Sequence, residues 1–165
     1  MLTPSTPHDH WTRVEALVKR WLNERQTLIV LMMALSEKHA AANGNHAPPS
    51  IRIQAFCQVL MDYASTGHFE IYDELMTEGE QSANPALKQA HAIHARLQRS
   101  TQAAVRFNDI YDSPEHAEDL LENLPMELSE LGLLLESRFE LEDQMIELLH
   151  KPVATHSAPR ETAGL

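Results

Sequence analysis

The chain has 165 residues, 43% of them hydrophobic and 22% charged, which is material for one soluble domain with one core. Acidic side chains outnumber basic ones 24 to 13, a formal net charge of −11. Such a surface repels phosphate backbones and attracts a basic partner, so direct nucleic-acid binding is not the expected role.

Residues 1–9, rich in Pro and Thr, read as a flexible N-terminus. The start, "MLTPSTPHDHW", has neither a basic n-region nor an apolar h-region, so no signal peptide is expected. From about Asp9 to Ala42 the pattern is helical, with Val14, Val18, Trp21, Leu28 and Met32 in one stripe. The longest apolar run, "LIVLMMAL" (28–35), falls far short of the ~20 residues that span a bilayer. The break at 40–50 carries Gly44 and the Pro48-Pro49 pair. Ser50 then caps a second helix, whose apolar side holds Ile53, Phe56, Cys57, Leu60, Met61 and Ala64. This helix is expected to kink at Gly67 and run on to about Glu80. Cys57 is the one cysteine, so no intramolecular disulfide forms. A lone thiol on an apolar stripe fits a reducing compartment, and a cytoplasmic location is expected.

Asn84-Pro85 is a helix start signal, followed by Ala86, Ala90, Ile93, Leu97, Thr101, Ala104 and Tyr111 on a third long helix. Ser113-Pro114 repeats the signal for a short helix that reaches Leu124, and Pro125 opens or kinks the next. The last helix runs from about Met126 to His150, and Lys151-Pro152 ends it. Residues 151–165 read as a disordered tail. The expected architecture is all-α, an antiparallel bundle of four main helices plus short accessory helices, forming a single domain over 10–150.

The apolar seams carry charge. The last helix reads Leu131, Leu135, Arg138, Glu142, Met145, Leu149, and Arg25 falls on the first helix's stripe. Gln58 and Asp62, four residues apart, border the second. A lone buried charge is costly, so Asp62 and Glu142 are candidates to pair with Arg25 and Arg138 in a polar pocket that offers charge to a partner. The alternative is a set of intrahelical surface pairs such as Arg138 with Glu142. Gly67 permits a kink or a close approach, and His68 is either structural or tied to the polar network.

Two chemical readings remain open. A di-iron bundle needs two Glu-x-x-His helices; Glu147-x-x-His150 fits once, without a second copy, and His91-x-x-His94 is a possible metal pair. "QAHAIHARL" loosely resembles a histidine phosphotransfer helix, but the Lys-Gly usual after the His is missing at His91. Metal-binding bundle and phosphotransfer module therefore stand as alternatives to a protein-binding role. The expected cofactor set is none, with no metal and no catalytic residues.

Three segments together resemble the Rsd/AlgQ family of bacterial anti-sigma regulators, closest to its AlgQ branch. They are "VKRWLNERQTL" (18–28), "FCQVLMDYASTGHFEIYDEL" (56–75) and "LLESRFELEDQMIELL" (134–149). The middle one is the most specific, and the order and spacing also fit. The resemblance implies a helical bundle that binds the C-terminal domain of the primary sigma factor. That domain is a basic helix-turn-helix that reads the promoter −35 element. Binding would occlude its contacts with core RNA polymerase and with promoter DNA.

Matched positions imply the sigma-contact residues. Asp62 matches the family's "DY" step, and His68, Phe69, Glu70 and Tyr72 match "GHFxIY". Arg20, Trp21 and Arg25 match "RWLxxR", while Arg138, Phe139, Glu142 and Asp143 match "RFxLED". Trp21 and Phe139 are equally readable as core aromatics. Lys19 stands where the family places an Asp, which would weaken a contact with a basic partner.

Overall fold

A computed structural model describes residues 6–36 and 49–150. Helix α1 spans Pro7–Ser36. Thr6 and Asp9 cap its start reciprocally: the Asp9 amide donates to Thr6 Oγ1 (3.0 Å) and the Thr6 amide to Asp9 Oδ2 (3.3 Å). With Pro7 in the first turn, the helix begins two residues before Asp9. Its expected extension from 37 to Ala42, the Gly44 and Pro48 breaks and the tail 151–165 lie outside the described residues.

Helix α2 spans Pro49–Thr66, again opening on a proline. A π-helical turn, Gly67–Ile71, follows, in which the Tyr72 amide bonds the Gly67 carbonyl five residues back. Helix α3, Tyr72–Gln81, continues without a break. The kink expected at Gly67 is therefore one inserted residue within a continuous helical segment. That segment ends in a left-handed Ala83 (φ 50°), with the Asn84 amide reaching back to the Gly79 carbonyl at 2.9 Å.

The third helix holds as one long segment with a local distortion: α4, Leu87–Arg96, and α5, Gln98–Tyr111, meet at Leu97, which stays right-handed and accepts the Thr101 amide at 3.1 Å. Ser100 Oγ and Thr101 Oγ1 both donate to the Leu97 carbonyl (2.9 and 3.2 Å), and the Leu97 amide is shared between the carbonyls of Ile93 and His94. Local hydroxyl bonds of this kind compete with the helical ladder, and side-chain spacing alone does not register them. The Asn84 signal holds as a turn: its Oδ1 accepts from the Ala86 amide at 2.8 Å. Ser113 caps α6, Pro114–Asp119, by accepting from the His116 amide. A 3₁₀ turn at Leu121–Asn123 leads into α7, Leu124–Leu149.

Four long segments result: α1, α2–α3, α4–α5 and α7. Residue pairs fix their directions. Trp11 stacks on His150 and Arg25 bonds Asp143, so α1 and α7 are antiparallel. Trp21 stacks on Tyr63 while His10 bonds Glu74, so α1 and α2–α3 are antiparallel. Phe56 meets Phe107 edge-on and Tyr72 meets His94 likewise, so α4–α5 runs against α2–α3. The seam residues Val14, Val18, Trp21, Leu28, Ile53, Phe56, Leu60, Leu131, Leu135 and Met145 are all buried. Among the described residues no helix is long and apolar enough to cross a membrane.

A buried charge cluster and the surface around it

Glu142 on α7 is 1% exposed and sits at the centre of the bundle. Its Oε1 accepts from the Tyr63 hydroxyl and from Arg25 (3.2 Å). Its Oε2 accepts from the Tyr72 hydroxyl (2.5 Å) and from Arg138 Nε (3.1 Å). Arg138, equally buried, also donates to Ser100 Oγ (3.0 Å), Thr101 Oγ1 (2.7 Å) and the Tyr72 hydroxyl (2.8 Å). Arg25 Nε donates to the Tyr63 hydroxyl at 2.9 Å, and the Trp21 indole donates to the Tyr63 carbonyl. Glu142 and Arg138 together thus join all four helical segments, the carboxylate reaching α1 and α2–α3 and the guanidinium reaching α4–α5.

The π turn makes this geometry available. Tyr63 and Tyr72 are nine residues apart, which at ~100° per residue would place them on opposite faces of a regular α-helix. The extra residue at Gly67–Ile71 removes roughly one residue of rotation, and both hydroxyls reach the same carboxylate. Gly67 is required for close approach: a Cβ there would lie 2.9 Å from Trp21 Cζ2 and 3.2 Å from the Tyr72 hydroxyl.

Burial pushes the Glu142 carboxyl up from its ordinary value, opposed by Arg138 and by the two phenols. Burial, reinforced by Glu142, pushes both phenols upward. Cys57 is buried beside the Tyr111 carbonyl, and its thiol is pushed up to about 12, chiefly by burial. It is a packed side chain rather than a nucleophile.

Several expectations need correction. Arg138 and Glu142 do not form a surface pair or an open groove that offers charge outward; they are enclosed. Trp21, Tyr72, Arg138 and Glu142 are each 1–2% exposed, so they support the surface from below and present no contact face. Asp62 does not pair with Arg25 or Arg138. It is exposed and accepts from Gln58 Nε2 at 3.1 Å, its neighbour four residues back. His68 packs against the Phe69 and His94 rings, and Tyr72 is the residue that ties the bend to the network. His150 is buried, bonds Glu78 through Nδ1 at 2.7 Å and stacks on Trp11, while Glu147 is exposed. Among the described residues no three His, Cys, Asp or Glu side chains converge as metal ligands.

The remaining residues lie at the surface in two groups. Arg20, Asp62 and Glu70 surround Glu24 closely enough to influence its titration. Burial and the Asp62 charge push the Glu24 carboxyl upward, with Arg20 opposing, and its buried Oε2 has no hydrogen-bond partner among the described residues. Glu24, Thr27, Val59 and Asp62 line a shallow hollow between α1 and α2. Phe69, on the π turn beside Glu70, is 71% exposed. The second group is centred on Arg25, whose guanidinium lies 4.8 Å from the half-buried Phe139 ring and bonds Asp143 at 2.6 Å. Lys19 is exposed on α1.

Sequence reasoning passed over Glu24, Tyr63 and Ser100, and placed Thr101 on the third helix's stripe without assigning it to the polar network. Tyr63 had a signal, since it continues the 53–56–60 seam by three. Glu24 had none, because its importance comes from α2 and the π turn.

Residues 1–150 match the family described as regulator of RNA polymerase sigma(70) subunit, Rsd/AlgQ. A regulator of sigma D from Yersinia pseudotuberculosis serotype O:1b (strain IP 31758) is 34% identical over 137 residues, covering 79% of this chain and 78% of the relative. A regulator of sigma D from Pectobacterium carotovorum subsp. carotovorum (strain PC1) is 31% identical over 135 residues, covering 82% and 88%. The resemblance carried by the three sequence segments is thereby established, and the chain belongs to the Rsd/AlgQ family.

Proposed function

We propose that the chain is a cytoplasmic anti-sigma regulator that binds the C-terminal, −35-reading domain of the primary sigma factor. It acts by stoichiometric occlusion and performs no chemistry. The observation that carries this reading is Phe69, an aromatic ring 71% exposed on the π turn next to Glu70, whose charge acts on Glu24 together with that of Asp62. An exposed apolar anchor beside acidic side chains suits a basic helix-turn-helix, because binding hot spots are aromatic and charge complementarity steers and orients the encounter. The unpartnered Glu24 oxygen is an acceptor for an incoming cationic side chain. Arg20 and the Arg25–Phe139–Asp143 group extend the surface, while Trp21, Tyr72, Arg138 and Glu142 hold it rigid. An interface of ~800 Å² per partner is within reach of such an area.

A sigma domain held here cannot present the same basic surface to promoter phosphates or to core polymerase. Immobilised chain should retain full-length primary sigma and release sigma lacking its C-terminal domain. Equal retention of both would overturn the domain assignment.

A further inference from the structure

A second concave surface lies between α4–α5 and α7, away from the acidic hollow of α1 and α2. It is a cleft of about 510 Å³, a size typical of small-molecule sites. The exposed Arg96 and Arg99 line it, with Ser137 and Gln102 beside them and Leu134 as an apolar wall, and the buried Arg138 borders it from within the bundle. No Asp or Glu lines it, although acids outnumber bases 24 to 13 in the chain. Arg138 is balanced by Glu142, which leaves the other two guanidiniums as the uncompensated charge. Among the described residues neither Arg96 nor Arg99 forms an ion pair. They stand three residues apart across the turn at Leu97, close enough along the helical segment for like charges to repel.

We propose that this cleft binds a small phosphorylated molecule, with Arg96 and Arg99 clamping its phosphate groups. Guanidinium forks match phosphate oxygens bidentately, and a diphosphate has enough acceptors for both arginines and for the Ser137 hydroxyl. An anion between the two arginines removes their mutual repulsion. The basic sigma domain is the wrong charge for this surface, so the cleft's occupancy does not rest on the sigma reading.

Titration calorimetry of the full chain with inorganic pyrophosphate at low ionic strength tests the proposal, because screening weakens exposed arginine contacts at high salt. Saturable one-to-one binding is expected. It should weaken at least tenfold in Arg96→Gln and in Arg99→Gln, both surface substitutions. Arg106→Gln, an exposed arginine of α5 outside the cleft, should leave it unchanged, and citrate should bind at least tenfold more weakly than pyrophosphate. Absence of saturable binding, an equal loss in Arg106→Gln, or citrate binding as tight as pyrophosphate would each overturn it.

Discussion

Replacing Glu142 with Gln keeps the shape of the side chain and removes the charge at the centre of the bundle. Arg25 retains Asp143, whose side chain is 60% exposed. Arg138 retains only neutral partners, with its side chain 1% exposed. Leaving one member of a buried pair uncompensated costs about 3–5 kcal/mol. The new amide also turns a donor toward groups that are themselves donors, adding to the loss. A destabilisation of about 4 kcal/mol is a large part of the ~5–15 kcal/mol that holds a domain together. At ~2–4 °C per kcal/mol it lowers the melting temperature by roughly 8–16 °C. Urea unfolding at neutral pH measures it as a fall in midpoint at constant slope. Adding Arg138→Met should recover much of the loss, since the orphaned charge is then gone. A loss below about 1 kcal/mol in Glu142→Gln would refute the reasoning, because it would mean the carboxyl is already neutral in the fold.

Asp143→Asn, by contrast, should cost no more than about 1 kcal/mol in the same assay, as the pair is exposed on one side. Gly67→Ala gains ~1 kcal/mol of helix propensity yet should destabilise by about 1–3 kcal/mol, because its Cβ meets Trp21 and Tyr72; a raised melting temperature would contradict the π-turn packing. Tyr63 and Tyr72 have pKa values raised by burial and by Glu142, so the folded state holds their protons more tightly than the unfolded chain. Their stabilisation is complete below the unfolded tyrosine value of ~10 and falls above it by up to ~1.4 kcal/mol per pH unit for each ring. Urea midpoints between pH 8 and 11 should show a shallower decline in Tyr63→Phe than in the parent. The Cys57 thiol, pushed up to about 12, should react with a thiol reagent at pH 8 only on the timescale of unfolding.

Much of the fold was legible because it follows from periodicity. The leucine and valine seams repeat at helical spacing and the Ser113-Pro114 cap is local, whereas the openings of α1 at Pro7 and of α2 at Pro49, one residue before the expected Ser50 cap, were not read. The turn at Leu97 was not legible, because it is slight: Leu97 stays right-handed and keeps ladder bonds to Ile93 and from Thr101, while the Ser100 and Thr101 hydroxyls share its carbonyl. The charged seam residues were identified as a network, and Glu142 pairs with both Arg25 and Arg138 as expected; the pairing expected of Asp62 does not form. Asp62 lies beside the apolar stripe in sequence, and only the helix rotation sends it to solvent while Tyr63 points to Glu142. The Gly-His interruption marked a special backbone, and its purpose emerges from the two tyrosines on either side of it. Phe69 could be placed by resemblance, whereas its exposure depends on the fold.

The central claim is that the exposed Phe69 and the acidic group of Glu24, Asp62 and Glu70 capture the basic C-terminal domain of primary sigma. Calorimetric titration of the isolated domain into the chain, repeated across a salt series, tests it most directly. A one-to-one complex that weakens with salt is predicted, with at least a tenfold loss in Phe69→Ala and in Asp62→Ala at unchanged melting temperature. No complex at low ionic strength, or full affinity in both variants, would contradict it.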